Sequence, residues 1–261
     1  MSSPAPVRLE RAGNLDVVTI DNPPLNLFDD SMEQALDAVL GELETDQPRA
    51  VLFRAEGRVV SGGVDVALFD AQPDVQHAVD LFNRLLAITR RTEQLPCPTV
   101  FAAHALCLTW AFELALACDV ILAASSARFG LVEKVIGLTP AMGGTQRLAE
   151  RAGSGRAREL VMTGVPYSAS TLESWNVINR VLDDDGFDEQ ARAFAAGLAD
   201  GPTLAHAATK RVIEAFREGG VRQADEQAAA IAGELFDSQD LRAAVRSFGT
   251  DGPGKAVFSG H

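Results

Sequence analysis

Apolar residues recur along the first half of the chain in two alternating patterns. Runs rich in β-branched residues predict strands, whereas apolar residues three or four apart predict helices. The predicted strands cover 7–9, 15–20, 50–53, 99–102 and 119–124, and the predicted helices cover 32–43, 75–95 and 110–117. Ala12, Gly13 and Asn14 join the first two strands into a hairpin, and Ser31 with Gln34 forms a capping box. Strands that alternate with helices at this spacing indicate an α/β fold.

The pattern becomes almost purely helical after Arg147. Helices are predicted over 154–163, 168–175, 188–199, 203–217, 221–235 and 238–248. The stretch 107–124 is long and apolar, but it contains Glu113 and Asp119, which are costly in a lipid core. It is therefore interpreted as a buried helix followed by a buried strand, not as a membrane span.

Composition narrows the class of protein. With 261 residues, 47% of them hydrophobic, the chain can form one large domain or a main domain with an appendage. A net charge of −13 argues against nucleic acid or an anionic membrane as the main partner. Cys97, Cys107 and Cys118 lack CxxC spacing, which favours reduced, buried thiols in a cytoplasmic protein. The N-terminal segment shows no secretory signal.

Two glutamates in apolar surroundings are the strongest candidates for chemistry. Glu113 lies in TWAFELALACD and Glu133 lies in FGLVEKVIG. Burial raises the pKa of a carboxyl group, so two such groups facing each other can act as acid and base. A buried glutamate is also often purely structural, and Glu133 with Lys134 can form a solvated pair.

Two segments can expose backbone N–H groups to a ligand. The glycine turn in RVVSGGVD, 58–65, permits a tight bend, and a helix starts at Thr109, Trp110 and Ala111. Each signal is weak alone, because most such turns and helix starts are only structural.

Taken in order, these segments resemble the enoyl-CoA hydratase/isomerase (crotonase) family across nearly the whole chain. The resemblance rests on NPPLNLFD, SGGVD, the long block ELALACDVILAASSARFGLVEKVIGLTPAMGGTQRL, and GKAVF near the end. It implies a spiral of strand, strand, helix units with two roughly perpendicular sheets in 1–199. It also implies a helical C-terminal region, 200–261, that assembles homotrimers or homohexamers.

The resemblance also implies roles for individual residues. Glu113 and Glu133 match the catalytic pair, and the backbone N–H groups of Val64 and Trp110 match the oxyanion hole. Members that keep both glutamates typically add water to a trans-2-enoyl-CoA in lipid metabolism. The residues matched to substrate or coenzyme A binding are Arg58, Gly62, Gly63, Asp65, Val66, Ala141, Lys255 and Phe258. A solvated Arg58 and an ordinary terminal Phe258 are equally compatible with the sequence.

The chain departs from the family pattern at three places. Thr109, Trp110 and Ala111 replace a glycine run, His104 and Ala105 replace a glycine pair, and Ala141 and Met142 replace small residues. The alternatives are therefore an isomerase, a carbon–carbon or thioester hydrolase that recruits His104, and a non-catalytic acyl-CoA-binding protein closed by Trp110. No metal cluster, dinucleotide motif or P-loop is visible, so coenzyme A is expected as part of the substrate and not as a cofactor.

Overall fold

The computed structural model describes residues 5–261. The segment predicted to lack a secretory signal includes residues 1–4, which lie outside the described residues. The strands are β1 Val7–Ala12, β2 Leu15–Ile20, β3 Ala50–Ala55, β4 Thr99–Ala103, β5 Cys107–Leu108, β6 Val120–Ala124, β7 Arg128–Gly130, β8 Tyr167–Ser168 and β9 Arg180–Leu182. The helices are α1 Asp30–Asp46, α2 Ala67–Asp70, α3 Val75–Gln94, α4 Trp110–Ala117, α5 Gly144–Thr163, α6 Ala169–Ser174, α7 Phe187–Ala199, α8 Thr203–Glu234 and α9 Gln239–Asp251, with 3₁₀ turns at Glu133–Ile136 and Leu235–Asp237.

The strands form two sheets. The six-stranded sheet has the order β1-β2-β3-β4-β6-β9, and the three-stranded sheet has the order β5-β7-β8. Successive units place one strand in each sheet before a helix, as β4, β5 and α4 do. Single bridges between Phe28 and Val64 and between Ser61 and Cys107 extend this pattern to earlier units. The predicted α/β spiral with two sheets and a helical C-terminal region is confirmed.

Parallel strands covered on both faces build the core. From β2 to β9, each pair of neighbouring strands in the large sheet is parallel. All residues of β2 and β4 are buried, as expected when helices cover both faces of a parallel sheet. Cys97, Cys107 and Cys118 are free and buried, as predicted. Every residue of α4 is also buried, so this helix carries Glu113 into the interior.

Several local predictions were wrong. The N-cap of α1 is Asp29, whose carboxylate accepts the Met32 N–H, while the Ser31 hydroxyl donates to Asp29. Ala12 belongs to β1 and pairs with Leu15, so the hairpin turn is shorter than predicted. The short strands β8 and β9 lie after Arg147, where the prediction named helices alone.

The C-terminal helices and tail form the last part of the described chain. Gly219 and Gly220 leave helical geometry and divide α8 near the predicted break. The tail returns to α9, where the buried carboxylate of Asp240 accepts hydrogen bonds from the Ser259 and Gly260 N–H groups. Large apolar side chains remain exposed in this region, namely Ile213, Phe216, Phe236, Val245 and Phe248.

Within residues 5–261, no helix has both the length and the apolar character needed to cross a membrane.

Candidate active site

Glu113 is fixed by the loop that precedes α5. Its side chain lies in the interior and the residue is 3% exposed. Glu113 Oε1 accepts hydrogen bonds from the Met142 N–H at 2.9 Å and the Gly144 N–H at 2.8 Å. Two backbone donors therefore hold one carboxylate oxygen in a defined position and favour its charged form.

Glu133 has the opposite environment. It opens the 3₁₀ turn Glu133–Ile136, and both carboxylate oxygens are buried without a hydrogen-bond partner among the described residues. Lys134 is exposed, and its side chain lies close to Gly164. The alternative that Glu133 and Lys134 form a solvated pair is therefore wrong.

Burial raises the pKa of both carboxyl groups, to about 8 for Glu113 and about 7 for Glu133. After burial, repulsion by a charged Glu133 is the next contribution to the pKa of Glu113, while the Gly144 and Met142 N–H groups lower it. That repulsion is absent when Glu133 holds a proton. The two N–H donors stabilise the charged form of Glu113 alone, although its deeper burial keeps its pKa above that of Glu133.

The backbone N–H groups of Val64 and Trp110 occupy matching positions in neighbouring loops. The bridge to Phe28 uses the Gly63 carbonyl and the Asp65 N–H, at 3.0 and 2.9 Å, and does not engage the Val64 N–H. Trp110 is the first residue of α4, and N–H groups in a first turn have no partner inside their helix. Each donor follows a residue with positive φ, Gly63 at 122° and Thr109 at 51°.

The indole of Trp110 packs into the core. It is 0% exposed, its Nε1–H donates to the Asn26 carbonyl at 3.2 Å, and its ring centroid lies 5.4 Å from that of Phe28. Both contacts belong to the loop that precedes α1. The side chain therefore fills the space behind the backbone donor.

Asn26 organises this loop, a role that sequence reasoning missed. Its Nδ2 donates to the Glu56 and Val59 carbonyls at 2.9 and 3.0 Å, and its Oδ1 accepts the Asn22 N–H. It links the NPPLNLFD loop to the residues before SGGVD. An asparagine after paired prolines was the available signal, because asparagine tolerates the positive φ of 49° found here.

A buried ion pair supports the loop that holds Glu113. Arg147 is 5% exposed, and its Nη2 donates to Glu93 at 2.7 Å while Nη1 donates to the Gly143 carbonyl. Arg217 of α8 also donates to Glu93, at 2.6 Å. The cluster connects α3, α5 and α8 beside the backbone donors to Glu113.

The residues matched to substrate binding fall into two separate groups. The first surrounds the backbone donors and contains Arg58, Gly62, Gly63, Asp65 and Val66, with Arg58, Asp65 and Val66 exposed. The half-buried Ala141 lies next to Met142, one of the donors to Glu113.

The second group, Lys255 and Phe258, lies in the tail. Gly260 of the same tail packs against Arg49, which precedes β3, whereas the loop with Val64 follows β3. Six residues of strand separate these ends, roughly 20 Å at about 3.3 Å per residue. The end of the tail therefore lies at the opposite end of β3 from Arg58 and the Val64 loop.

His104 is half-buried and lies away from the glutamates. Its Nε2 is 3.0 Å from the Gly57 carbonyl, and it borders a cavity lined by Arg54, Glu56 and Asp188, among others. Residues of α7 close that cavity, so His104 faces a different part of the molecule from Glu113.

Comparisons with known proteins show what this chain is similar to. The family model described as enoyl-CoA hydratase/isomerase matches residues 10–253. A short-chain-enoyl-CoA hydratase of Clostridium acetobutylicum is 29% identical over 93% of this chain and 94% of its own length. A 1,2-epoxyphenylacetyl-CoA isomerase of Escherichia coli is 32% identical over 75% of this chain and 77% of its own length. The crystal structure of an enoyl-CoA hydratase from Bacillus anthracis superposes with a TM-score of 0.90 at 22% identity, over 98% of this chain and 100% of that one, which shows the shared fold.

Proposed function

The chain belongs to the enoyl-CoA hydratase/isomerase family, and on that premise we propose that it adds water across the C2=C3 double bond of a trans-2-enoyl-CoA thioester. The observation that carries the proposal is the asymmetric pair of buried carboxyl groups. Glu113 has two N–H donors on Oε1, and Glu133 has none. One side chain can hold the charge and the other the proton that a hydration needs.

The thioester oxygen binds between two backbone donors in this mechanism. The Val64 and Trp110 N–H groups donate to it and stabilise the enolate charge that develops when C3 is attacked. Fixed donors of this kind contribute about 3 kcal/mol each to the transition state. The indole of Trp110 lies in the core, so it leaves the substrate side of this backbone donor unobstructed.

The two glutamates act on a water molecule and on C2. Ionised Glu113 removes a proton from the water whose oxygen forms the bond to C3. Protonated Glu133 delivers its proton to C2 as the enolate collapses, so the elements of one water molecule are added. The proton then on Glu113 returns to Glu133 through the next water, and no redox partner or metal is required.

Binding of the coenzyme A part of the substrate involves Arg58 and the loop with Gly62, Gly63, Asp65 and Val66. A cation here offsets the acidic net charge of the chain near anionic phosphates. Ala141 borders the position of the water. Lys255 and Phe258 serve the site of a neighbouring subunit, which is compatible with the position of Gly260 at the opposite end of β3 from Arg58.

We also propose that residues 200–261 assemble the chain into a homotrimer or homohexamer in the cytoplasm. The exposed Ile213, Phe216 and Phe236 support this proposal, because apolar side chains of this size are usually covered by a partner.

The test is hydration of crotonyl-CoA, followed by the loss of its conjugated enoyl absorbance. Glu113→Gln and Glu133→Gln each remove a proton-transferring oxygen, and we expect kcat to fall at least about 1,000-fold while the substrate still binds. Binding of the thioester by both variants, measured by calorimetry, separates loss of chemistry from loss of fold.

The rival functions give different outcomes. Binding without turnover at several acyl lengths means an acyl-CoA-binding protein, and double-bond migration without water addition means an isomerase. Release of free coenzyme A means a hydrolase. His104 lies away from both glutamates, which disfavours the hydrolase that recruits it.

A further inference from the structure

Thr109 has a backbone conformation that is rare for its residue type. Its φ is 51° and its ψ is −119°, at the position directly before α4. Positive φ is an outlier for a β-branched residue, because its Cβ crowds the backbone. Gly63, which directly precedes Val64, also has a positive φ, but glycine has no Cβ and avoids this crowding. Strained backbone of this kind concentrates at functional sites.

The hydroxyl of Thr109 is buried and unused. The residue is 5% exposed, and Oγ1 has no hydrogen-bond partner among the described residues. A Cβ placed on Gly63 would lie 3.5 Å from this oxygen, so the hydroxyl faces the residue before Val64. Thr109 therefore has two unfavourable features, and both occur between the two backbone donors.

The dihedral angles also fix where the side chain starts. With ψ at −119°, tetrahedral geometry at an L-residue brings the Thr109 Cβ almost into the plane of the next peptide, beside the Trp110 nitrogen. The Trp110 N–H and the Thr109 side chain thus leave the backbone on the same side. The Thr109 side chain therefore begins next to the position of an acceptor on this N–H.

We propose that the Thr109 hydroxyl donates a third hydrogen bond to the thioester oxygen, beside the Val64 and Trp110 N–H groups. This inference rests on the proposed function. It gives the partnerless hydroxyl an acceptor that is present only when substrate is bound. It also accounts for a threonine at a position where glycine would relieve the backbone.

The test compares three substitutions of Thr109. Thr109→Val keeps the shape and removes the hydroxyl, Thr109→Ser keeps the hydroxyl, and Thr109→Gly removes both the hydroxyl and the strain. Thr145→Val is the matched control, because Thr145 Oγ1 is also buried without a partner but borders a groove along α5. Each variant is assayed for kcat and KM with crotonyl-CoA and for its melting temperature.

A spectroscopic measurement reports the hydrogen bond directly. A cinnamoyl-CoA with a para-dimethylamino group absorbs at longer wavelength as its carbonyl becomes more polarised. We expect a smaller shift on binding to Thr109→Val and a shift like that of the parent with Thr109→Ser and Thr145→Val. Loss of one donor to an oxyanion lowers kcat about 100- to 1,000-fold, with KM nearly unchanged.

The outcomes separate the two proposals. If Thr109→Val and Thr109→Gly match the parent in kcat and absorbance shift, the role of Thr109 is wrong and the hydratase proposal stands. If Thr109→Gly is slow despite an equal or higher melting temperature, the hydroxyl is needed. If the parent neither shifts the absorbance of the thioester nor hydrates crotonyl-CoA, both proposals are wrong.

Discussion

At the scale of single residues, Glu133 costs the folded state stability. A carboxyl group whose oxygens are buried without partners has lost its hydration, and nothing in the described part of the chain replaces it. Burial destabilises the charged form of this carboxyl group more than the neutral form, which explains the raised pKa of Glu133. The group proposed to deliver a proton is thus retained at a cost to the stability of the fold.

This cost predicts a pH dependence of stability. Burial raises the pKa of Glu133 from 4.5 to about 7 in the folded state. The folded state therefore binds the proton more tightly than the unfolded state. The resulting contribution to the free energy of unfolding is fully present below pH 4.5 and is lost as the pH rises to about 7. The free energy of unfolding should fall by about 3 kcal/mol across this interval from Glu133 alone.

Glu133→Gln removes that titration. We expect its melting temperature relative to the parent to increase between pH 5 and pH 8, measured by calorimetry. The exposed Glu226 in α8 provides a control, since Glu226→Gln should show no such trend. Parallel pH curves for the parent and Glu133→Gln would contradict the proposed burial of this carboxyl.

At the scale of elements, the start of α5 and the middle of α4 fit together at Gly144. A Cβ on Gly144 would lie 2.6 Å from Glu113 Cγ and 3.0 Å from Oε1. Glu113 Oε1 is held by the Met142 and Gly144 N–H groups, so the side chain cannot move away without losing these hydrogen bonds. Close approach of the two elements therefore requires glycine here.

Gly144→Ala should displace the Glu113 carboxylate and lower kcat more than about tenfold, since misplacement of a catalytic group by a fraction of an ångström is costly. Gly155→Ala is the matched control in the same helix, where a Cβ would contact nothing within 4 Å. That change should stabilise α5 by about 0.5 to 1 kcal/mol and leave kcat unchanged. Equal kcat in both variants would show that the contact at Gly144 is not needed.

Long elements were predictable from the sequence, and short ones were not. α4 matches its predicted range because a run that is apolar except for Glu113, between a turn and a strand, has few alternatives. β5 and β8 have two residues each, too few to show an alternating pattern. Their pairing depends on partners distant in the chain.

The candidate site shows the same division. The sequence identified Glu113 and Glu133 as carboxylates within apolar segments. It did not identify the donors to Glu113, because Met142 and Gly144 lie far along the chain. Packing determines that the Lys134 side chain points outward and that the Trp110 indole points inward. No local pattern reports either direction.

At the scale of the whole molecule, the exposed apolar residues of 200–261 define a test of assembly. Phe216 is 50% exposed, and replacement by glutamate removes no contact from the core. We expect Phe216→Glu to reduce the mass measured by light scattering after size-exclusion chromatography. Met162→Glu is the control, because Met162 is 69% exposed on α5, outside this region. A monomeric parent, or equal masses for all three proteins, would contradict the proposed trimer or hexamer.

The position of Trp110 also gives the molecule an optical property. The chain has two tryptophans, and Trp175 is half-buried beneath the guanidinium of Arg156 at 4.3 Å. Trp110 is fully buried, and the same residue supplies a backbone N–H to the candidate site. In a Trp175→Phe background, all indole fluorescence arises from this one residue. We expect the emission of unlabelled protein to change when a ligand binds at the Trp110 N–H, because the fold attaches the fluorophore to this backbone group.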